Sequence, residues 1–185
     1  MTIKGLEHAI MVFYKNLYQA IMTRTSFNEI NCSLARTVDI IGDKWSLLII
    51  RDAFFGVQRF SEFEDRLGIA KTVLSNRLNI LVENEILKKV STNPEVDRFI
   101  YKLTPRGRDL LVTVVSLVQW GDKWVFGEGQ EPIEIWDKEE LASIQQLGLQ
   151  ARSGKILEAR DVVFKPGPGA TSEMISMFED YYLQK

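Results

Sequence analysis

Ile69-Ala70-Lys71-Thr72-Val73-Leu74-Ser75-Asn76-Arg77-Leu78-Asn79-Ile80-Leu81-Val82 separates into two faces when wound at the helical period. Ala70, Leu74, Leu78, Leu81 and Val82 fall on one side; Lys71, Thr72, Ser75, Asn76 and Asn79 fall on the other. One side is dry, and the other is made almost wholly of hydrogen-bonding groups. Upstream, Gly68 closes a short helix in which Arg59-Phe60 lead into Ser61, an N-cap candidate, followed by Glu62, Phe63 and Leu67. Further back, Leu34, Val38 and Ile41 form one apolar stripe and Trp45, Leu48, Ile49 and Ala53 another. Gly42-Asp43 interrupts them and Gly56 ends the second, so two short helices are expected before the one ending at Gly68.

Downstream, Ile86-Leu87-Lys88-Lys89-Val90 and Phe99-Ile100-Tyr101-Lys102-Leu103 are β-prone, and the turn-rich residues from Ser91 to Arg98 suit a hairpin tip. Thr104-Pro105 is a strong helix start: a capping hydroxyl, then proline at the one helical position that lacks a use for its N–H. The helix predicted from Arg106 to about Phe126 carries Leu110, Leu111, Val114, Val115, Leu117, Val118 and Trp124, with Trp120 close by, more apolar surface than one domain needs to cover. A further helix is expected from Leu6 to Met22. Beyond Gly127 the pattern weakens to a short helix over Glu139 to Leu149, a strand pair within Lys155 to Lys165, a rigid turn at Pro166-Gly167-Pro168-Gly169, and a terminal helix from Ser172 to Leu183. That last helix carries Ile175, Phe178 and Tyr182 on one face, with Ser172 as its cap.

Three helices, a hairpin and a long helix follow in the order of a winged helix-turn-helix. The expected fold is mainly α with a small β-hairpin: a helical extension over 1–31, a DNA-binding and dimerisation domain over 32–126, and an α+β tail over 127–185. A recognition helix must offer short polar side chains and a few cations to a groove about as wide as itself. Lys71, Thr72, Ser75, Asn76 and Arg77 supply them within two turns. Arg59 and Ser61 at the start of the preceding helix, and Arg98 at the hairpin tip, stand where such a fold meets phosphates. Taken singly, these residues read equally well as a solvated surface; the helix order and the hairpin favour DNA.

Net charge adds little, because the formal value is −2 for 185 residues. Lys and Arg outnumber Asp and Glu by 14 to 12 over residues 32–126 and are outnumbered 11 to 6 over 127–185. An acidic tail therefore masks a mildly basic middle. With 45% hydrophobic and 26% charged residues the chain has a folded protein's balance. It contains no apolar run long enough to span a membrane and no signal-peptide pattern, so a cytoplasmic location is expected. Cys32 is the single cysteine, which excludes an intramolecular disulfide and a multi-cysteine metal site within one chain.

Four blocks also resemble the HxlR group of transcriptional regulators. They are Cys32-x-x-Ala35-Arg36-x-x-Asp39-Ile40-Ile41-Gly42-Asp43-Lys44-Trp45-x-x-Leu48-Ile49-Ile50-Arg51-Asp52, Gly56-x-x-Arg59-Phe60-Ser61-Glu62-Phe63, Leu74-Ser75-x-Arg77-Leu78, and Tyr101-x-Leu103-Thr104-x-x-Gly107. The resemblance spans about residues 32–126 and implies a winged-helix homodimer on a near-palindromic double-stranded operator, in bacterial or archaeal cytoplasm. It implies that the helix from Ala70 reads the major groove and that the tip near Arg98 touches the backbone or minor groove. Leu110, Leu111, Val114, Val118 and Trp120, with N-terminal helical material, would form the dimer interface. Glu158-Ala159-Arg160-Asp161-Val162 and the following Pro-Gly turn resemble the tail of longer members, in which cysteine pairs precede this stretch. None stand there here, so neither a metal nor any other cofactor is expected.

Cys32 matches a position where some members of that group carry a redox-responsive thiol, and it precedes a helix start whose unpaired amides attract a thiolate. It reads equally as a packed structural cysteine. Trp120, Trp124 and Trp136 admit a similar pair of readings: aromatic packing, or the wall of an apolar cleft for a small-molecule effector. An enzyme is not expected, because His8 is the lone histidine and no phosphate loop or metal-ligand spacing occurs. A winged helix used only for protein contacts would need no change in the core pattern and stays open at this level.

Overall fold

The computed structural model describes residues 26–27, 29–93 and 98–183. The helix expected from Leu6 to Met22 lies outside them, as does the hairpin tip at 94–97. The chain divides into two units, 1–42 and 43–185. In the first, α1 (Ser33–Ile41) starts after Cys32, whose backbone is extended and whose thiol is exposed. Arg36 Nε donates to the Ile30 carbonyl at 2.9 Å, tying the helix to the chain that enters it. Leu34 and Val38, one turn apart, are exposed.

The second unit starts at Asp43, whose carboxylate caps α2 (Lys44–Phe54) by accepting the Trp45 N–H at 2.9 Å. The side chains that α2 buries are Ser46, Ile49, Ile50 and Asp52; of the expected stripe, only Ile49 is among them. The physical reason is position: α2 touches the two helices that follow it, the hairpin and the helix after the hairpin, so it has no single inner face. The Asp52 carboxylate, 0% exposed, is held by Arg51 Nη2 at 2.8 Å and Arg66 Nε at 3.4 Å. A buried charge survives only when paired in this way.

The helix α3 runs Phe60–Leu67 with Arg59, not Ser61, at the capping position. Glu62 decides this start: its carboxylate reaches back to the Arg59 N–H at 2.9 Å and the Gln58 N–H at 3.2 Å. Gly68 ends α3 as expected, and does so at φ 59° in the left-handed conformation. Next, α4 (Lys71–Glu83) sinks Leu74, Leu78 and Leu81 into the core, while Val82 is half-buried and Ala70 sits exposed at the cap. Strands β1 (Leu87–Asn93) and β2 (Arg98–Leu103) pair antiparallel, with Leu87 opposite Leu103 and Ser91 opposite Phe99. The segment before α3 joins them, because Tyr101 N–H donates to the Gln58 carbonyl at 2.8 Å and Arg59 bridges Ile100. This third partner fixes the hairpin against the helices.

Thr104 and Pro105 do begin a helix, but not one continuous to Phe126. The first turn, α5 (Pro105–Arg108), is followed by a two-residue break, then by α6 (Leu111–Gly121) and a π-helical turn at Asp122–Phe126. Thr104 Oγ1 accepts the Gly107 N–H at 3.0 Å, and Thr104 N–H donates to the Ile86 carbonyl at 3.1 Å. Gly107 lies so close to that carbonyl that a Cβ would fall on its oxygen. The first turn is pinned to the end of the hairpin, and the helix resumes two residues later.

The tail differs more from expectation. Instead of a helix over Glu139 to Leu149, β3 (Trp136–Asp137) pairs with β4 (Ala142–Ser143), and β5 (Leu149–Gln150) pairs with β6 (Ile156–Leu157). Asp137 forces the turn by accepting the N–H groups of Glu139 and Glu140 at 2.7 and 2.8 Å. Those two amides, Glu140 first, hold its carboxyl below the usual aspartate range. After β6 the chain makes a 3-10 turn at Ala159–Asp161 rather than a second strand. The terminal α7 (Ser172–Leu183) is capped by Thr171, not Ser172: Thr171 Oγ1 accepts the Met174 N–H at 3.3 Å. No helix among the described residues is long and apolar enough to cross a membrane.

Candidate nucleic-acid interface

Burial of Leu74, Leu78 and Leu81 dictates what α4 leaves outside. Lys71, Thr72, Ser75, Asn76 and Asn79 are all exposed, in a row along the outer face. Arg77 is placed differently. It lies three residues after Leu74 and four before Leu81, on the rim of the dry face, and its side chain is only 18% exposed. Its Nη2 meets Asp43 Oδ2 at 3.0 Å, so the same carboxylate caps α2 and anchors α4.

Beside the N-terminal end of α4, the start of α3 and the tip end of the hairpin enclose an open cleft of about 730 Å3. Arg59, Ser61, Lys71 and Arg98 line it, with Thr92 and Glu64 between them. Four of the eight residues expected to meet DNA, drawn from three separate elements, thus converge on one concavity. Thr92 Oγ1 donates to the Arg98 carbonyl at 3.2 Å and so ties the two strands together near the tip, next to that arginine. The Arg59 and Gln58 amides, in that order, hold the Glu62 carboxyl below its ordinary value and anchor the loop that carries Arg59. Lys89 was missed by the sequence reading: its ammonium lies 3.9 Å from the centroid of Phe99, a ring that also lines the cleft. Its cross-strand proximity to Phe99 was the signal available. Glu64 was missed too; its carboxylate stands 3.8 Å from Lys71 Nζ.

The residues expected at a dimer interface lie on α6 and the residue before it. Leu111 and Trp120 are exposed, the indole by 60%, while Leu110, Val114 and Val118 are half-buried. Val112, Leu117, Trp124, Val125 and Phe126 extend the exposed apolar surface. A second cleft, of about 680 Å3, lies between this helix and the tail, lined by Gln119, Asp122, Glu131, Ile133 and Ile144 among others. None of the three tryptophans lines it: Trp124 stacks under Lys123, and the Trp136 indole donates to Glu134 at 2.6 Å.

A family model described as HxlR-like helix-turn-helix matches residues 40–128. The HTH-type transcriptional regulator Rv3095 of Mycobacterium tuberculosis is 35% identical over 144 residues, covering 78% of this chain and 91% of its own length. The chain belongs to the HxlR-like helix-turn-helix family. Among solved structures, PA1607, described as a candidate transcription factor, superimposes with a TM-score of 0.71 at 35% identity, over 77% of this chain and all of its own. PA1374 from Pseudomonas aeruginosa, described likewise, gives 0.57 at 29% identity over 79% of this chain and 99% of its own. Both superpositions extend beyond the 40–128 segment, so the HxlR-like core is shared together with further structure. The relatives are named as regulators of transcription, and the winged-helix architecture is theirs as well.

Proposed function

We propose that this chain is a sequence-specific DNA-binding transcriptional regulator that acts as a homodimer. The observation that carries the reading is the exposed polar row of α4 beside the cleft holding Arg59, Ser61, Lys71 and Arg98. In this reading α4 enters the major groove. Asn76 suits the donor and acceptor pattern of a purine edge, Thr72 and Ser75 adapt to either strand, and Arg59, Ser61, Lys71 and Arg98 take phosphates. Arg77, engaged with Asp43, braces α4 from behind rather than reading bases. A second copy covers the apolar surface of α6 around Leu111, Leu117 and Trp120, and so sets two copies of α4 on two half-sites. The regulatory signal enters through the exposed Cys32 thiol or a small molecule held against α6.

Footprinting on the DNA flanking the gene, followed by gel shifts across a salt series, tests the reading. Specific binding should weaken as salt rises, because each phosphate contact releases counterions. Asn76→Ala should cost about 1–3 kcal/mol of affinity, while Lys71→Ala or Arg98→Ala should each lower the salt slope by about 1. Absence of sequence-specific binding at low salt overturns the proposal.

A further inference from the structure

We propose that Glu64 sets the strength and salt dependence of DNA binding: it holds the Lys71 ammonium in the free protein and yields it only to DNA that seats α4 fully in the groove. The inference rests on the DNA-binding reading above. Glu64 is a carboxylate among cations, on the wall of the cleft that would face phosphate. Its Oε1 lies 3.8 Å from Lys71 Nζ; the lysine is 74% exposed and the glutamate 28%. Glu62, two residues earlier, is different in kind, because its carboxylate is consumed in capping α3 through the Arg59 and Gln58 amides. Among the described residues, the Glu64 carboxylate caps nothing and has Lys71 as its partner.

A lysine neutralised by a carboxylate on its own protein releases no counterion on meeting DNA. Non-specific complexes rest almost entirely on phosphate contacts, and a loosely seated helix gives Lys71 no reason to change partner. Base contacts on the operator bring the first turn of α4 close enough for the exchange. Glu64 therefore withholds one cation from loosely seated DNA, and the operator complex bears the cost of breaking the pair. Exposed ion pairs are weak, so the expected effect is about two- to fivefold in affinity.

The test measures salt-dependent binding of wild type, Glu64→Gln, Lys71→Gln and the double variant to the footprinted operator and to a random-sequence duplex of equal length. Glu64→Gln should tighten binding to the operator about two- to fivefold with little change in its salt slope, and should tighten binding to the random duplex by no more than that while steepening its slope by about 0.9, one phosphate contact. Lys71→Gln leaves Glu64 in place; it should lower the operator slope by the same amount and leave the random-duplex slope unchanged. The double variant should match Lys71→Gln on both. An unchanged random-duplex slope in Glu64→Gln, or a gain that persists in the double variant, overturns the role of Glu64. A wild type that cannot distinguish operator from random duplex overturns the DNA-binding reading itself.

Discussion

The winged-helix core and the tail after Gly127 are built by different forces. In the core, Ile49, Ile50, Phe63, Leu74, Leu78 and Leu81 are all fully buried, and their burial sets the direction of every helix that carries a candidate DNA contact. In the tail no described residue is buried; among the described residues the last buried side chain is Val115. There the two hairpins are held by polar bonds: the Asp137 turn, and Gln119, which donates to the Gln145 carbonyl at 3.2 Å and accepts the Leu147 N–H at 2.7 Å. Trp136, Leu141, Leu149, Ile156 and Phe164 are left exposed. Apolar area removed from water yields about 25 cal/mol per Å2, whereas an exposed hydrogen bond competes with water on nearly equal terms. The core can therefore stand by itself, while the tail borrows its order from α6.

The sharpest way to break this comparison is Phe63→Ala. Phe63 is packed inside the core where α3 carries its neighbours Arg59 and Ser61 into the cleft. Its truncation should lower global stability by about 3–5 kcal/mol, read by chemical denaturation of the full chain. A loss similar to that of a tail substitution would mean the two regions are held alike.

Arg77→Ala sharpens the comparison inside the core, by separating what holds α4 from what α4 presents. The pair with Asp43 is half-buried, and its loss should cost about 1–2 kcal/mol, between an exposed and a buried ion pair. Lys71→Ala should leave the denaturation midpoint where it is and act on DNA affinity alone. Equal effects of the two on stability would remove the bracing role of Arg77.

What could be read from residues follows the same division. Local signals with one physical meaning survived: Gly68 at a helix end, Thr104 and Pro105 at a helix start, Leu74, Leu78 and Leu81 at helical spacing. Period alone could not tell that Arg77 on the rim of the dry face would turn toward Asp43, because the choice depends on where α2 ends up. Nor could it place Asp52 in the core, since α2 has neighbours on several sides and its charge is neutralised by Arg51 beside it and by Arg66 on α3, 14 residues along the chain. For the tail, apolar residues spaced through Glu139 to Leu149 suit a helix, and a single carboxylate at Asp137 outweighs them by closing a turn at its start. Where burial decides, periodicity is informative; where a few polar bonds decide, one side chain overrides it.

The smallest effect expected is that of Gln119→Ala, and it is the most discriminating for the tail. One amide side chain makes both bonds to the 145–147 segment, and it is carried by α6 between the exposed Trp120 and the half-buried Val118. Removing it takes away no buried apolar surface, so the denaturation midpoint of the core should move by less than about 0.5 kcal/mol. The Leu147 amide, which loses its acceptor outright, should exchange with solvent markedly faster, and protease cleavage between β4 and β5 should accelerate with it. Hydrogen exchange followed by mass spectrometry reads both regions in one experiment. Unchanged protection at Leu147 would mean that the tail is held by something other than Gln119, and a loss of protection that spread to Leu78 would mean that core and tail unfold as one body.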